Sequence, residues 1–246
     1  MSRILACTSG SPRDVATNGE LLSGIEGGVR GAYPDSVTTP ARPRVPSSPG
    51  DATPSPACKE WAAIVHALLA GEQIIDVRKG GIREDTRHFG LEATRFWLYP
   101  TFVHQQPELV KLAYRHWVDT EGPPDRAITV AGWADVVGVA TLTEPAQLDA
   151  IDSRFIWTTE YATSRLEWKP RDPLWILALR VHRLAEPITI PYRDEYGGCT
   201  SWVTLAGLPA DPARLPSEPA LSDVAFDARL QGLREALPDG LEAPAS

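Results

Sequence analysis

All eight tryptophans of this chain (Trp61, Trp97, Trp117, Trp133, Trp157, Trp168, Trp175 and Trp202) and all five histidines lie between Lys59 and Ala206. Aromatic side chains carry the largest apolar payload a core can use, so the packed part of the molecule has to form from that span. Neither flank offers comparable material. The first 58 residues hold eight prolines among Ser, Thr and Gly, as in "TTPARPRVPSSPGDATPSPAC", and such a composition buries too little apolar surface to offset the entropy of ordering. The expected organisation is a disordered Pro/Ser/Gly-rich arm over residues 1–58, a single domain over 59–206, and a Pro-rich linker with an amphipathic helix over 207–246.

Charge and cysteine content narrow the function classes. The net charge of -8 argues against non-specific coating of nucleic acid, which works by neutralising phosphates, but leaves room for a local basic pocket. No stretch approaches the roughly 18 apolar residues of a membrane span, and no basic start leads into the apolar run of an export signal. Of the three cysteines, Cys7 and Cys58 fall in the arm, which makes no disulfide framework. A soluble, cytoplasmic protein without a membrane partner is expected.

Periodicity supplies the elements. In "KEWAAIVHALLAG", Trp61, Ile64, Val65, Leu68 and Leu69 recur at helical spacing and Gly71 is a natural stop. "QIIDVRK" reads as a strand closed by Gly80 and Gly81, and "TRFWLYPTF" as a second strand that pairs with it across a loop. "QPELVKLAYRHWV" repeats the helical stripe through Leu109, Leu112, Ala113, His116 and Trp117. The run "RAITVAGWADVVGVATL" is too long for one ordinary strand, so Gly132 or Gly138 marks a bulge or bend. A short helix follows from Thr143 and Pro145 to about Ile151, and a helix capped by Thr158 or Thr159 follows that. "PLWILALRVHRL", "EPITIP" and "CTSWVTL" are extended. Ser222 caps a last helix whose narrow stripe is Phe226, Leu230, Leu233 and Leu237, with the core or a partner as the surface it docks on. Helices and strands intersperse without βαβ regularity, which predicts an α+β domain with a mixed, partly barrel-like sheet and flanking helices.

The candidate chemistry centres on the basic segment that begins at Arg78. Arg78, Lys79 and Arg83 beside the freed amides of Gly80 and Gly81 have the make-up of an anion site; a solvated hairpin loop is the alternative reading. Aromatics beside arginines are able to stack bases, and Trp97, Tyr99, Trp157 and Tyr161 are candidates, against the alternative that they are core. Arg165 and Lys169 supply a second basic wall if "EYATSRLEW" is helical, with Tyr161, Arg165 and Trp168 on one face; a solvated charged face is the alternative reading. Cys199 follows two glycines but lacks a base at an informative spacing. Neither HxxxH nor CxxC occurs, and no cofactor or metal site is expected.

The blocks "KEWAAIVHALLAGEQIIDVRKGGI", "FWLYPTFVHQ", "RLEWKPRDPLWILALRVHRL" and "YGGCTSW" together resemble the bacterial family labelled domain of unknown function 1802, over about residues 59–205. That resemblance implies no assigned activity. It does imply a link to DNA restriction or defence, because relatives are found joined to restriction-type nuclease domains. The pattern in "GEQIIDVR", with the later "LRVHRLAEPITI", is similar to the PUA-like superfamily, and this second resemblance implies a small barrel with Arg78 and Lys79 at the mouth of a ligand cleft.

Three function classes follow. The leading one is a binding module for nucleic acid or a nucleobase. The second is a metal-dependent nuclease, although Asp76 and Lys79 are spaced to opposite strand faces. The third is a protein-interaction adaptor that uses Phe226, Leu230, Leu233 and Leu237 as its contact stripe.

Overall fold

In a computed structural model, which describes residues 55–79, 91–168, 172–198, 200–237 and 239–244, the longest elements are two strands that pair along most of their length. They are β4 (Ile128–Leu142) and β5 (Leu174–Ile190), and their register breaks between Val130 and Gly132 and again between Val136 and Gly138. The sequence predicts a bend at one of the two glycines, and a register break falls at each. At Gly132 the reason is steric: a Cβ would lie 2.4 Å from the carbonyl oxygen of His182 and 2.5 Å from Cδ2 of Leu69. Gly132→Ala should cost about 1–3 kcal/mol by overpacking, read as a lower denaturant midpoint with an unchanged slope. A midpoint equal to wild type would mean that the strand yields there.

The remaining strands are β1 (Pro56–Trp61), β2 (Ile75–Arg78), β3 (Arg95–Thr101), β6 (Trp202–Thr204) and β7 (Ser217–Pro219). The sheet order is β2-β5-β4-β3-β1-β6, with β7 added on β5. β1 runs parallel to β3 and every other pairing is antiparallel, so the sheet is mixed. It also curls: Nη2 of Arg78 in β2 donates to the carbonyl of Lys59 in β1 at 2.9 Å, bringing together strands that are four places apart in the order. This contact is the partly barrel-like closure.

Among the described residues four α-helices flank the sheet: α1 (Ala62–Ala70), α2 (Pro145–Ile151), α3 (Thr159–Glu167) and α4 (Asp223–Ala236). Gly71 ends α1 in the left-handed region at φ 74°, Thr158 caps α3 through its side chain, and Ser222 caps α4. Glu144, rather than Thr143, caps α2 in a reciprocal pair with Gln147.

Three expectations drawn from the sequence give way here. β1 begins at Pro56 and Ala57 is fully buried, so Pro56, Ala57 and Cys58 belong to the domain rather than to the arm; residues 1–54 lie outside the described residues. β2 pairs with β5, not with β3. The stripe from Pro107 to Trp117 is two 3₁₀ turns, Pro107–Leu109 and Leu112–Trp117. Between them Val110 bridges to Trp157 and the Lys111 N–H donates to the Ile156 carbonyl. The C-terminal helix takes the core, one of its two expected destinations. β7 pairs with β5, and Phe226, Leu230, Leu233 and Leu237 are buried in the domain's main core, which spends the stripe expected to meet a protein partner.

A second core occupies the other face of the sheet. It gathers Ala57, Trp97, Tyr99, Val130, Trp133 and Tyr196. Alternation along β3 produces this division, because Phe96 and Leu98 belong to the main core while Trp97 and Tyr99 point the opposite way.

Candidate functional site

Alternation also places Cys58 and Glu60 on one face of β1, and Asp76 and Arg78 on one face of β2. The curl of the sheet brings these faces together. Arg78 is the hub: its Nε donates to Asp76 Oδ2 at 2.7 Å, and its Nη2 donates to Cys58 Sγ at 2.8 Å and lies 3.3 Å from Glu60 Oε2. Glu60 Oε1 accepts the Trp61 N–H at 2.7 Å. Asp76 Oδ1 is buried and has no hydrogen-bond donor among the described residues. The side chains are graded by depth, with Glu60 12% exposed, Arg78 9% and Asp76 3%.

Burial sets the electrostatics. It pushes the Glu60 carboxyl up to about 7, with Arg78 opposing the rise and Asp76 adding to it. It raises the Cys58 thiol well above the ordinary cysteine value, which makes that cysteine an inert neighbour rather than a nucleophile. Burial also works against the charge of Arg78, but Asp76, Cys58 and Glu60 together hold its pKa above the ordinary value.

Above the cluster the end of β1 meets α3. Trp61 and Tyr161 are stacked with ring centroids 5.3 Å apart and planes 22° apart, and Trp157 lies 6.1 Å from Tyr161. Trp61 and Tyr161 are only partly buried. Arg165 follows Tyr161 by one helical turn and sits over the Trp168 ring at 5.8 Å, so the expected shared face of Tyr161, Arg165 and Trp168 forms. In its local sequence Trp61 is only part of a helical stripe, and its pairing with Tyr161 comes from the chain's long-range closure. Trp157, a stacking candidate beside Tyr161 in "RFIWTTEY", is 4% exposed.

The structure separates the residues expected to form one cleft. Arg78 reaches the seam between β1 and β2, but its guanidinium is turned inward onto carboxylates. Lys79 is 4% exposed, and its Nζ donates to the carbonyls of Leu166 at 2.6 Å and Asp172 at 2.5 Å, which removes it as a free anion ligand. The Oδ2 of Asp76, the acid considered with it for metal-dependent cleavage, is held by Arg78. Trp97 is wholly buried, with its Nε1 donating to Pro209 O at 3.2 Å, and Tyr99 is 3% exposed against Tyr196. Neither ring offers a face to a ligand, because both serve the second core. Arg165 is brought to the site. Gly80, Gly81, Arg83, Lys169 and Cys199 lie outside the described residues. Among the described residues no group of three or more His, Cys, Asp and Glu is placed to hold a metal ion, and no helix is long and apolar enough to cross a membrane.

Residues 57–232 match the family described as "Domain of unknown function (DUF1802)". The chain belongs to this family. As a DUF1802 member it has similarity to the solved ASCH protein of Zymomonas mobilis, at 15% identity and a TM-score of 0.39, over 61% of this chain and 86% of that one. A serine-to-alanine variant of the same protein aligns at 16% identity and a TM-score of 0.37, over 62% of this chain and 90% of that one. No curated protein matches the sequence. The family match begins at Ala57 and runs into α4, the same span that the fold packs together.

Proposed function

We propose that this DUF1802 protein is a nucleic-acid-binding module, with a base stacking on the Trp61–Tyr161 pair and the backbone meeting Arg165. The observation that carries this reading is the partly exposed, stacked pair of Trp61 and Tyr161, with a guanidinium one helical turn beyond it. Aromatic faces hold bases of any sequence, and an arginine beside them supplies the phosphate contact. Lys169 and Arg83, which lie outside the described residues, are further cations we assign to phosphate contact. A role in DNA restriction or defence, implied by the sequence resemblance, is the cellular setting of this reading.

Titrating the full chain with single-stranded and duplex oligonucleotides over a range of salt tests it. Binding should weaken as salt rises. Arg165→Glu should lower the salt slope by about one, as expected for loss of one phosphate contact. Tyr161→Leu should weaken binding about 10- to 100-fold, from a stacking contribution of about 1–3 kcal/mol per base. Absent or salt-independent binding would overturn the reading.

A further inference from the structure

We propose that the site selects bases by an exocyclic amino group, whose N–H donors are received by the carboxylate oxygens of Glu60 and Asp76. This rests on the nucleic-acid reading above and names what is recognised there. The donors and acceptors left over in the cluster point to it. Arg78 has committed Nε to Asp76 Oδ2, and Nη2 to Cys58 Sγ, the Lys59 carbonyl and Glu60. Lys79 has committed its ammonium to two carbonyls. Two acceptors and one donor remain: Asp76 Oδ1 has no donor among the described residues, Glu60 Oε2 has only the 3.3 Å contact with Arg78, and Arg78 Nη1 makes no hydrogen bond among the described residues.

A buried carboxylate oxygen left without a donor carries the full cost of its desolvation, and an N–H from a ligand removes that cost. A phosphate does the opposite. Arg78 is already held by Asp76 and Glu60, so a phosphate would have to compete with those two carboxyl groups for its guanidinium. The depth gradient fits an edge-on approach, since Glu60 is the outermost acceptor and Asp76 the innermost. Glu60 lies close enough to Tyr161 to act on its hydroxyl, as Arg165 does, so a base stacked on the Trp61–Tyr161 pair has its polar edge near the Glu60 carboxyl.

Cytosine and uracil separate this idea from stacking alone. They share ring, sugar and charge, and differ where cytosine has an amino donor and uracil a carbonyl acceptor, which a carboxylate repels. The full chain is titrated with penta-cytidine and penta-uridine, following tryptophan fluorescence. Penta-cytidine should bind about 10- to 100-fold more tightly, the range expected for a specific base contact. Glu60→Gln, which replaces one acceptor oxygen by an N–H₂ donor, should close most of that gap by improving uridine binding. Equal affinity of the wild-type chain for the two, or a preference for penta-uridine, overturns the amino-group assignment while leaving nucleic-acid binding intact. No binding of either overturns both readings. The comparison between the two oligonucleotides is made on the wild-type chain and needs no variant to fold.

Discussion

Arg78→Ala should lower the stability of the fold by about 3–5 kcal/mol, the usual effect of removing one member of a buried ion pair. Two carboxylates lose their counter-charge, and the Lys59 carbonyl loses its donor at the point where β2 meets β1. Arg78→Lys should recover little of this. A single ammonium lacks the planar fork that reaches Asp76, Cys58, Lys59 and Glu60 together. Urea denaturation monitored by tryptophan fluorescence reads the difference directly. A loss below about 1 kcal/mol, in the range of an exposed ion pair, would mean that the seam between β1 and β2 is held by something other than this side chain.

The second large effect is a pH dependence that originates at Glu60. Its carboxyl is raised in the folded chain from the ordinary 4.5 to about 7, chiefly by burial. Between those values the folded state binds more protons than the unfolded one, so stability is highest below the unfolded value and falls as pH rises towards the folded one. At about 1.36 kcal/mol per pH unit, the contribution lost is about 3 kcal/mol. Other groups titrate over the same window, and the comparison with Glu60→Gln isolates this one. The glutamine variant should gain about 3 kcal/mol on the wild-type chain between about pH 4 and about pH 8. A stability difference that stays constant across that range would contradict the burial of Glu60.

Much of the fold is legible in local pattern. The stripe of α1 with Gly71 behind it, the caps Thr158 and Ser222, the long β-branched run of β4 and the bends at Gly132 and Gly138 all appear where spacing and turn chemistry put them. The misses have a common physical source in partners that are distant along the chain. Pro56, Ala57 and Cys58 look like the end of a proline-rich tail, and become a strand because β3 and β6 flank them. The apolar stripe beginning at Leu109 breaks at Val110 and Lys111 because the segment 152–157 supplies its partners; the Lys111 ammonium donates to the carbonyls of Asp152 and Phe155.

The same cause explains the site. "DVRKGG" suggested cations waiting for an anion because nothing nearby showed that Glu60 and Cys58 would arrive to satisfy Arg78, or that the carbonyls of Leu166 and Asp172 would take Lys79. In "FWLY" the aromatic content was plain, but with both faces of β3 covered, Trp97 and Tyr99 became core. The partly exposed aromatic pair that the fold does build, Trp61 with Tyr161, joins residues far apart in sequence. A helical Tyr161–Arg165–Trp168 face was the one part of the site that local spacing could reveal.

The account stands or falls on where a nucleic acid touches the chain. Photocrosslinking a single-stranded, cytidine-containing oligonucleotide to the full protein, followed by mass spectrometry of the peptides, measures this directly. Crosslinks should concentrate on the peptides that carry Trp61 and Tyr161 and should diminish when Arg165 is replaced by Glu. Crosslinks confined to other surfaces, with Trp61 and Tyr161 unmodified, would contradict the assignment of the site to the meeting of β1 and α3.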